Sequence, residues 1–348
     1  MNTQIYELDD KNIDMDIIKA AADIIRKNGT VVFPTETVYG LGANGLSPEA
    51  VKSIFKVKGR PADNPLIMHI SCIDMLLYVI GETLSDKAKL LIEKFWPGPL
   101  TLIFKKSSAV PLEVTAGLDT VAVRMPDNKI ALELIKQSGL PIAAPSANIS
   151  GKPSPTKAEH VIADLNGRVD AILCGSNSRV GLESTILDLS GEMPTILRPG
   201  GITYEELSAV LGQVEIDKGL VGSETVPKAP GMKYTHYAPE AAMTIVRGEL
   251  EAVVNTILKL ATEQKHQGKK VGILATDETK HSYKEGLIIS MGSRENMYTA
   301  AARVFDTLRE FDKQQVDIIF AEALSEKDIG MAVMNRLKKA AGFNIIEV

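Results

Sequence analysis

Residues 31–45, VVFPTETVYGLGANG, are the stretch on which the reading of this chain turns. A β-branched and aromatic run, Val31 to Phe33, stops at Pro34; Thr35-Glu36-Thr37 follow, and then Gly40-Leu41-Gly42-Ala43-Asn44-Gly45, which matches G-x-G-x-x-G. Glycines of that pattern placed directly after a strand would aim a helix N-terminus at a pyrophosphate and point to a nicotinamide oxidoreductase. Here PTETVY intervenes, so that reading is weak and the glycines are expected to be ordinary turn glycines. A P-loop is excluded, because no G-x-x-x-x-G-K-[ST] occurs anywhere in the chain.

Outward from this stretch, Ile17, Ala20, Ala21, Ile24 and Ile25 recur at helical spacing from Met15, and Asn28-Gly29 supplies the stop. The same reading predicts helices from Pro48 to Lys56 behind a Ser47 cap, Ser85 to Trp96, Asn128 to Ser138 and Thr156 to Leu165. It predicts strands Leu66 to Ile70, Leu100 to Phe104, Val121 to Met125, Ile142 to Ala144, Ala171 to Cys174, Ser184 to Leu189 and Ile196 to Arg198. Their irregular mixing implies an α/β or α+β first domain with a twisted, mixed sheet. Periodicity then fails, and GLVGSETVPKAPGMKYTHYAPE, residues 219–240, reads as a linker. Beyond it strands (Met243 to Val246, Val271 to Ala275, Asp317 to Ala321, Asn344 to Val348) alternate with helices (Leu250 to Gln264, Met297 to Phe311, Ile329 to Ala340), which predicts a smaller, doubly wound parallel sheet. Ala300, Ala301, Val304, Phe305 and Leu308 form one apolar stripe, read as core. The expected domains are 1–212, a linker or lid 213–240, and 241–348.

Composition narrows the function. The 348 residues carry a net charge of −5. The first 227 hold 22 Lys and Arg against 28 Asp and Glu, a balance of −6, and the remainder 17 against 16, a balance of +1. A strong nucleic-acid binder needs a cationic surplus, so any RNA contact is expected to be weak or local. Two cysteines, Cys72 and Cys174, allow no disulfide framework or zinc spacing and read as buried thiols. An acidic N-terminus and the lack of a long apolar run suggest a cytoplasmic protein with no membrane association.

Donor-rich residues gather on the loops that follow strands, where sites of α/β proteins collect. They are Thr35-Glu36-Thr37; Lys56, Lys58, Arg60 and Asn64 in KVKGRPADNPL, with His69 beyond; Ser146, Asn148, Ser150 and Ser154 in APSANISGKPSPT; and Ser184 and Arg198. Taken singly each has an ordinary explanation: Lys56 a solvated cation at a helix end, His69 a satisfied core histidine, Arg124 half of a buried ion pair, and the Ser-Asn runs loops and caps. Taken together, several cations with small hydroxyls and amides suit a triphosphate, with magnesium sharing the charge. Nucleotidyl transfer asks mainly for positioning and charge neutralisation, which such a set supplies.

FPTETVYGLG, KVKGRPADNPL, RMPDN, APSANISG, ESTI, LRPG and APGMKYTHYAP, in that order, resemble the YrdC-type L-threonylcarbamoyladenylate synthases in their long two-domain form. The resemblance implies that L-threonine, bicarbonate or carbon dioxide, and ATP with Mg²⁺ give threonylcarbamoyl-AMP and pyrophosphate, for a downstream tRNA threonylcarbamoyl transferase. It implies a YrdC-type mixed-sheet catalytic domain followed by a Rossmann-like accessory domain. Carried over onto this chain, it makes Lys58, Arg60, Ser146 and Asn148 the catalytic set. ATP would be held by these four with Asn64, Ser154 and Arg198, with Lys56 and Thr120 as extra contacts and Tyr237 closing over the nucleotide. L-threonine would lie against Thr37, His69, Arg124, Ala144 and Ser184. The linker, with Gly231 and Tyr237, is expected to act as a lid. A double-stranded RNA-binding module without catalysis is the alternative the same resemblance leaves, and the acidic first domain counts against it.

Overall fold

The computed structural model describes residues 2–217, 219 and 237–348. By contacts these residues form two compact units, one from 2–150, 155–179 and 183–219, the other from 151–154, 180–182 and 237–348. The short segments 151–154 and 180–182 thus group with the later residues, which no continuous division of the sequence provides for.

The first unit runs β1 (Gln4–Glu7), α1 (Met15–Arg26), β2 (Val31–Phe33), β3 (Gly40–Asn44), α2 (Pro48–Lys58), β4 (Ile67–His69), α3 (Ile73–Val79), α4 (Asp86–Phe95), β5 (Leu100–Lys105), α5 (Leu112–Thr115) and β6 (Thr120–Arg124). It continues with α6 (Lys129–Ser138), β7 (Ile142–Ala143), α7 (Ala158–Leu165), β8 (Ala171–Cys174), β9 (Thr185–Asp188), β10 (Thr195–Arg198), α8 (Tyr204–Leu211) and β11 (Glu215–Ile216). One sheet takes all the strands in the order β1-β8-β2-β3-β7-β4-β6-β5-β9-β10-β11. It is mixed: β4 pairs β6 in parallel, whereas β3 and β4 both pair β7 antiparallel. The helices start where short polar side chains accept the orphan amides: Asp14 caps α1, Ser47 caps α2 with Pro48 in its first turn, and Asn128 caps α6.

Three expectations are corrected. Gly40 and Gly42 lie in the strand β3, not in a turn. The strand needs them for close approach: a Cβ on Gly42 would come within 2.6 Å of both Ile142 and the Phe33 ring. Cys72 is exposed, because the chain turns at the surface there to start α3. Elements β1, α3, α5, α8, β11 and β14 had no predicted counterpart, although α8 carries a sequence signal in its capping box: Thr203 Oγ1 accepts from Glu206 N and Glu206 accepts from Thr203 N.

In the second unit the elements are β12 (Ala242–Arg247), α9 (Leu250–His266), β13 (Val271–Ala275), a 3-10 turn Lys280–Ser282, β14 (Leu287–Ser290), α10 (Met297–Lys313), β15 (Ile318–Glu322), α11 (Gly330–Ala340) and β16 (Ile345–Glu347). The sheet order is β14-β13-β15-β12-β16, and every pair is parallel. Ala300, Ala301, Val304, Phe305 and Leu308 of α10 are all buried, as their spacing predicts. Among the described residues no helix is long and apolar enough to cross a membrane.

Candidate active site

Helix α2 ends at Lys58 because Gly59 adopts a left-handed conformation (φ 61°, ψ 36°). Lys58 is only 3% exposed, and its ammonium donates to the carbonyls of Ser146 (2.5 Å) and Asn148 (2.6 Å), with Asn148 Oδ1 at 3.4 Å. Ser146 Oγ in turn donates to Asn148 Oδ1 at 2.6 Å, and Asn148 Nδ2 to the Ile149 carbonyl. The loop is pinned to β3: Leu41 N donates to the Pro145 carbonyl, and Ala147 N to that of Tyr39. A lysine at a helix end, a bond from the Ser150 amide to the Lys58 carbonyl, and backbone bonds that tie the loop to Tyr39 and Leu41 thus build one knot.

A second knot forms at the carboxyl ends of β4 and β6, where His69 and Arg124 stand in register. Arg124 Nε donates to the Gly98 carbonyl (3.1 Å) and Nη1 to Thr37 Oγ1 (2.9 Å), while Nη2 lies 2.6 Å from Glu36 Oε2. Both partners of that ion pair are buried, with side chains 4% and 1% exposed. Thr35 Oγ1 donates to the Val38 carbonyl and shares a 2.8 Å bond with Thr37 Oγ1, which shapes the 35–38 turn. His69 packs edge-on against Phe33 and bonds the Ile67 carbonyl through Nδ1. Burial, reinforced by the Arg124 charge, pulls its pKa down to about 3, so the ring is neutral near pH 7. Ala144 is buried beside the pair, its amide bonded to the Ile67 carbonyl.

The third knot joins Ser184 and Arg198. Arg198 donates through Nε and Nη2 to the Ser184 carbonyl (3.2 and 2.9 Å) and through Nη2 to Ser184 Oγ, which lies 2.7 Å from Thr101 Oγ1. Thr101 is fully buried and was not anticipated, since a threonine inside an apolar strand gives no signal of its own.

The structure therefore brings together Lys58 with Ser146 and Asn148, Thr37 with Arg124 and His69, and Ser184 with Arg198. Asn64 is fully buried, and Arg60 is half-buried with its guanidinium 6.0 Å from the Phe55 ring centre. Lys56 is exposed, in keeping with a solvated helix-end cation. Thr120 begins β6 and is half-buried; four residues from Arg124, an even number of strand steps, it shares that residue's sheet face roughly 13 Å away. Ser154 and Tyr237 belong to the second unit. Ser154 is fully buried, while Tyr237, 6% exposed, packs 5.1 Å from Phe305 with the Arg336 guanidinium 5.6 Å over its ring. Residues 220–236, with Gly231 and most of the expected lid, lie outside the described residues.

Similar proteins cover this arrangement end to end. A family model described as "Telomere recombination" matches residues 23–200, and one described as "Threonylcarbamoyl-AMP synthase, C-terminal domain" matches residues 202–342. The threonylcarbamoyl-AMP synthase of Bacillus subtilis (strain 168) is 51% identical over 330 residues, 94% of each chain. That of Pyrococcus abyssi is 49% identical over 332 residues, 95% of this chain and 96% of the relative. The crystal structure of P. abyssi Sua5 complexed with L-threonine superposes with a TM-score of 0.95 at 47% identity, covering 99% of this chain and all of that one.

Proposed function

The chain belongs to the threonylcarbamoyl-AMP synthase family, and we propose that it joins L-threonine, bicarbonate or carbon dioxide, and ATP into threonylcarbamoyl-AMP and pyrophosphate at the three knots of the first unit. The observation that carries this reading is the likeness along nearly the whole chain to a protein solved with L-threonine. The product is destined for a tRNA threonylcarbamoyl transferase. A catalytically silent RNA-binding module is disfavoured by the −5 net charge.

Each knot has a distinct task in this proposal. Arg124, locked by Gly98 and Thr37, receives the amino-acid carboxylate with its planar fork. Neutral His69, Thr37 and Ser184 sort the hydroxyl and backbone atoms by hydrogen bonds, and Ala144 limits the volume. Lys58 and Arg60 face the phosphates, with Ser146, Asn148, Asn64 and Arg198 completing the ATP contacts and Thr120 extending them. The ammonium gives a proton to solvent, and the neutral amine attacks the carbon donor to form the carbamate, releasing a second proton from the carbon dioxide adduct, or water when bicarbonate is the donor. A carbamate oxygen then attacks the α-phosphorus as the bond to the bridging oxygen breaks and pyrophosphate departs. Lys58, held by two carbonyls, is already in position for the charge that grows on the leaving oxygens, so it stabilises them without reorganising. The donor set fits magnesium as an ion carried by ATP. Ser146 Oγ and Asn148 Oδ1 are hard, neutral oxygens, and Mg²⁺ keeps phosphate and water oxygens around it. When bound it would supply charge neutralisation at the phosphates. No protein nucleophile is needed.

The test is pyrophosphate release from MgATP, omitting L-threonine and bicarbonate in turn, with mass detection of the AMP adduct. Release is expected only with all substrates present, and Lys58→Ala is expected to lose about 100- to 1000-fold. Release that ignores threonine would overturn the reading.

A further inference from the structure

Glu36 is the charged residue of the second knot that the carry-over leaves without a task. Its side chain is 1% exposed and its Oε2 sits 2.6 Å from Arg124 Nη2. Yet among the described residues neither of its oxygens accepts an aligned hydrogen bond, and Arg124 Nη2 donates none. The hydroxyls beside it in sequence are engaged elsewhere: Thr35 Oγ1 with Val38 and Thr37, and Thr37 Oγ1 with Thr35 and Arg124. An ionised carboxylate has about four lone-pair sites, and leaving them empty in a buried position is costly. Buried polar groups in folded proteins are nearly all satisfied, so an orphan of this kind marks a place kept for another molecule's donors.

The molecule that fits carries both charges. A guanidinium and a carboxylate side by side offer an amino acid a partner for each end, and the zwitterion adds no net charge to the buried pair. His69 cannot serve as the second charge, since burial and Arg124 keep it neutral. Thr37 Oγ1 accepts from Arg124 and so holds one edge of the fork, leaving Nη2 and the Glu36 carboxylate as the two groups with unused hydrogen-bonding capacity.

We propose that Glu36 is the ammonium-binding residue of the amino-acid pocket: its carboxylate receives the α-ammonium while Arg124 receives the α-carboxylate, so Glu36 selects an amino acid over the corresponding hydroxy acid. The proposal rests on the threonine reading above and deepens it. Substrate replaces the single, poorly aligned ion contact by two aligned ones, and one or two of the ammonium hydrogens occupy lone pairs that the fold leaves empty.

The experiment compares equilibrium binding of L-threonine with that of 2,3-dihydroxybutanoate, its analogue with hydroxyl in place of the α-amine. The wild-type chain is expected to prefer threonine by about 10- to 100-fold, the range for one charge-assisted contact. Glu36→Gln is expected to bring that ratio close to one, and Glu36→Asp, which keeps the charge, to restore part of it, with thermal melts confirming that each variant is folded. A wild-type chain that binds both ligands equally overturns the proposal even if no variant folds. Equal weakening of both ligands in Glu36→Gln also overturns it, because that is the signature of a residue that only orients Arg124. A wild-type chain that binds neither ligand overturns the threonine reading itself.

Discussion

Each unit of the molecule buries a glutamate against an arginine, and the two pairs are finished differently. In the second unit Glu322, at the carboxyl end of β15, is fully buried and accepts from Thr276 Oγ1 (3.1 Å), Thr279 Oγ1 (2.5 Å), Tyr283 OH (2.7 Å) and Arg294 Nη2 (2.6 Å). Burial and the Glu322 charge together hold the Tyr283 hydroxyl well above the ordinary phenol range, so it remains a donor. In the first unit Glu36 has the ion contact and, among the described residues, none of the hydrogen bonds. A carboxylate surrounded by donors from its own chain ties loops together. One that lacks them is a structural liability unless a ligand brings the donors.

The largest effect that would sharpen this contrast concerns His69, the neutral neighbour of the unfinished pair. Its folded pKa of about 3 lies below the unfolded value of about 6.5, so the unfolded chain takes up the proton first as pH falls. The stability it contributes is present above pH 6.5 and is lost between about pH 6.5 and 3, by about 5 kcal/mol at most. Denaturant unfolding across that window should show a flatter acid limb in His69→Gln; an unchanged limb would mean the ring is not held neutral beside Arg124. Next, Glu322→Gln should destabilise the second unit by about 3 kcal/mol, since Arg294 and three hydroxyls lose a charged acceptor. The smallest effect belongs to the same substitution at Glu36. There the amide isostere gives up one ion contact but also removes a buried carboxylate whose desolvation no aligned hydrogen bond offsets, while Arg124 keeps Gly98 and Thr37, so a smaller loss than at Glu322 is expected. Equal losses for the two variants in chemical unfolding would break the comparison.

Much of both sheets is legible in the sequence because local rules govern the relevant residues. Ser47 and Asn128 announce helix starts, Asn28-Gly29 a helix end, and the βαβ alternation after residue 242 a parallel sheet. Where local rules are silent the reading falls short: β1 and β14 are short and carry no periodic pattern, and the glycines of β3 look like a turn until Phe33 and Ile142 are seen to crowd them. Of the site, the polar loop residues and Arg124 are visible from motif and composition. Thr101 is not, because its role depends on Ser184, far along the chain. Glu36 was visible as a residue but not as a function, since its missing hydrogen bonds exist only once the chain is folded around it.

The sequence by itself determines the family, the mixed sheet followed by the parallel one, and the inventory of cations, hydroxyls and amides after the strands, because motif order, hydrophobic period and cap residues are properties of neighbours along the chain. Only the tertiary structure decides which of those groups meet. Lys58 finds the carbonyls of Ser146 and Asn148 through loop pinning between residues far apart in sequence, and Arg198 finds Ser184 through the antiparallel pairing of β9 with β10. It alone separates a buried glutamate that is satisfied from one that is not, because satisfaction depends on donors arriving from loops remote in sequence from the glutamate, and that arrangement is written in no local pattern.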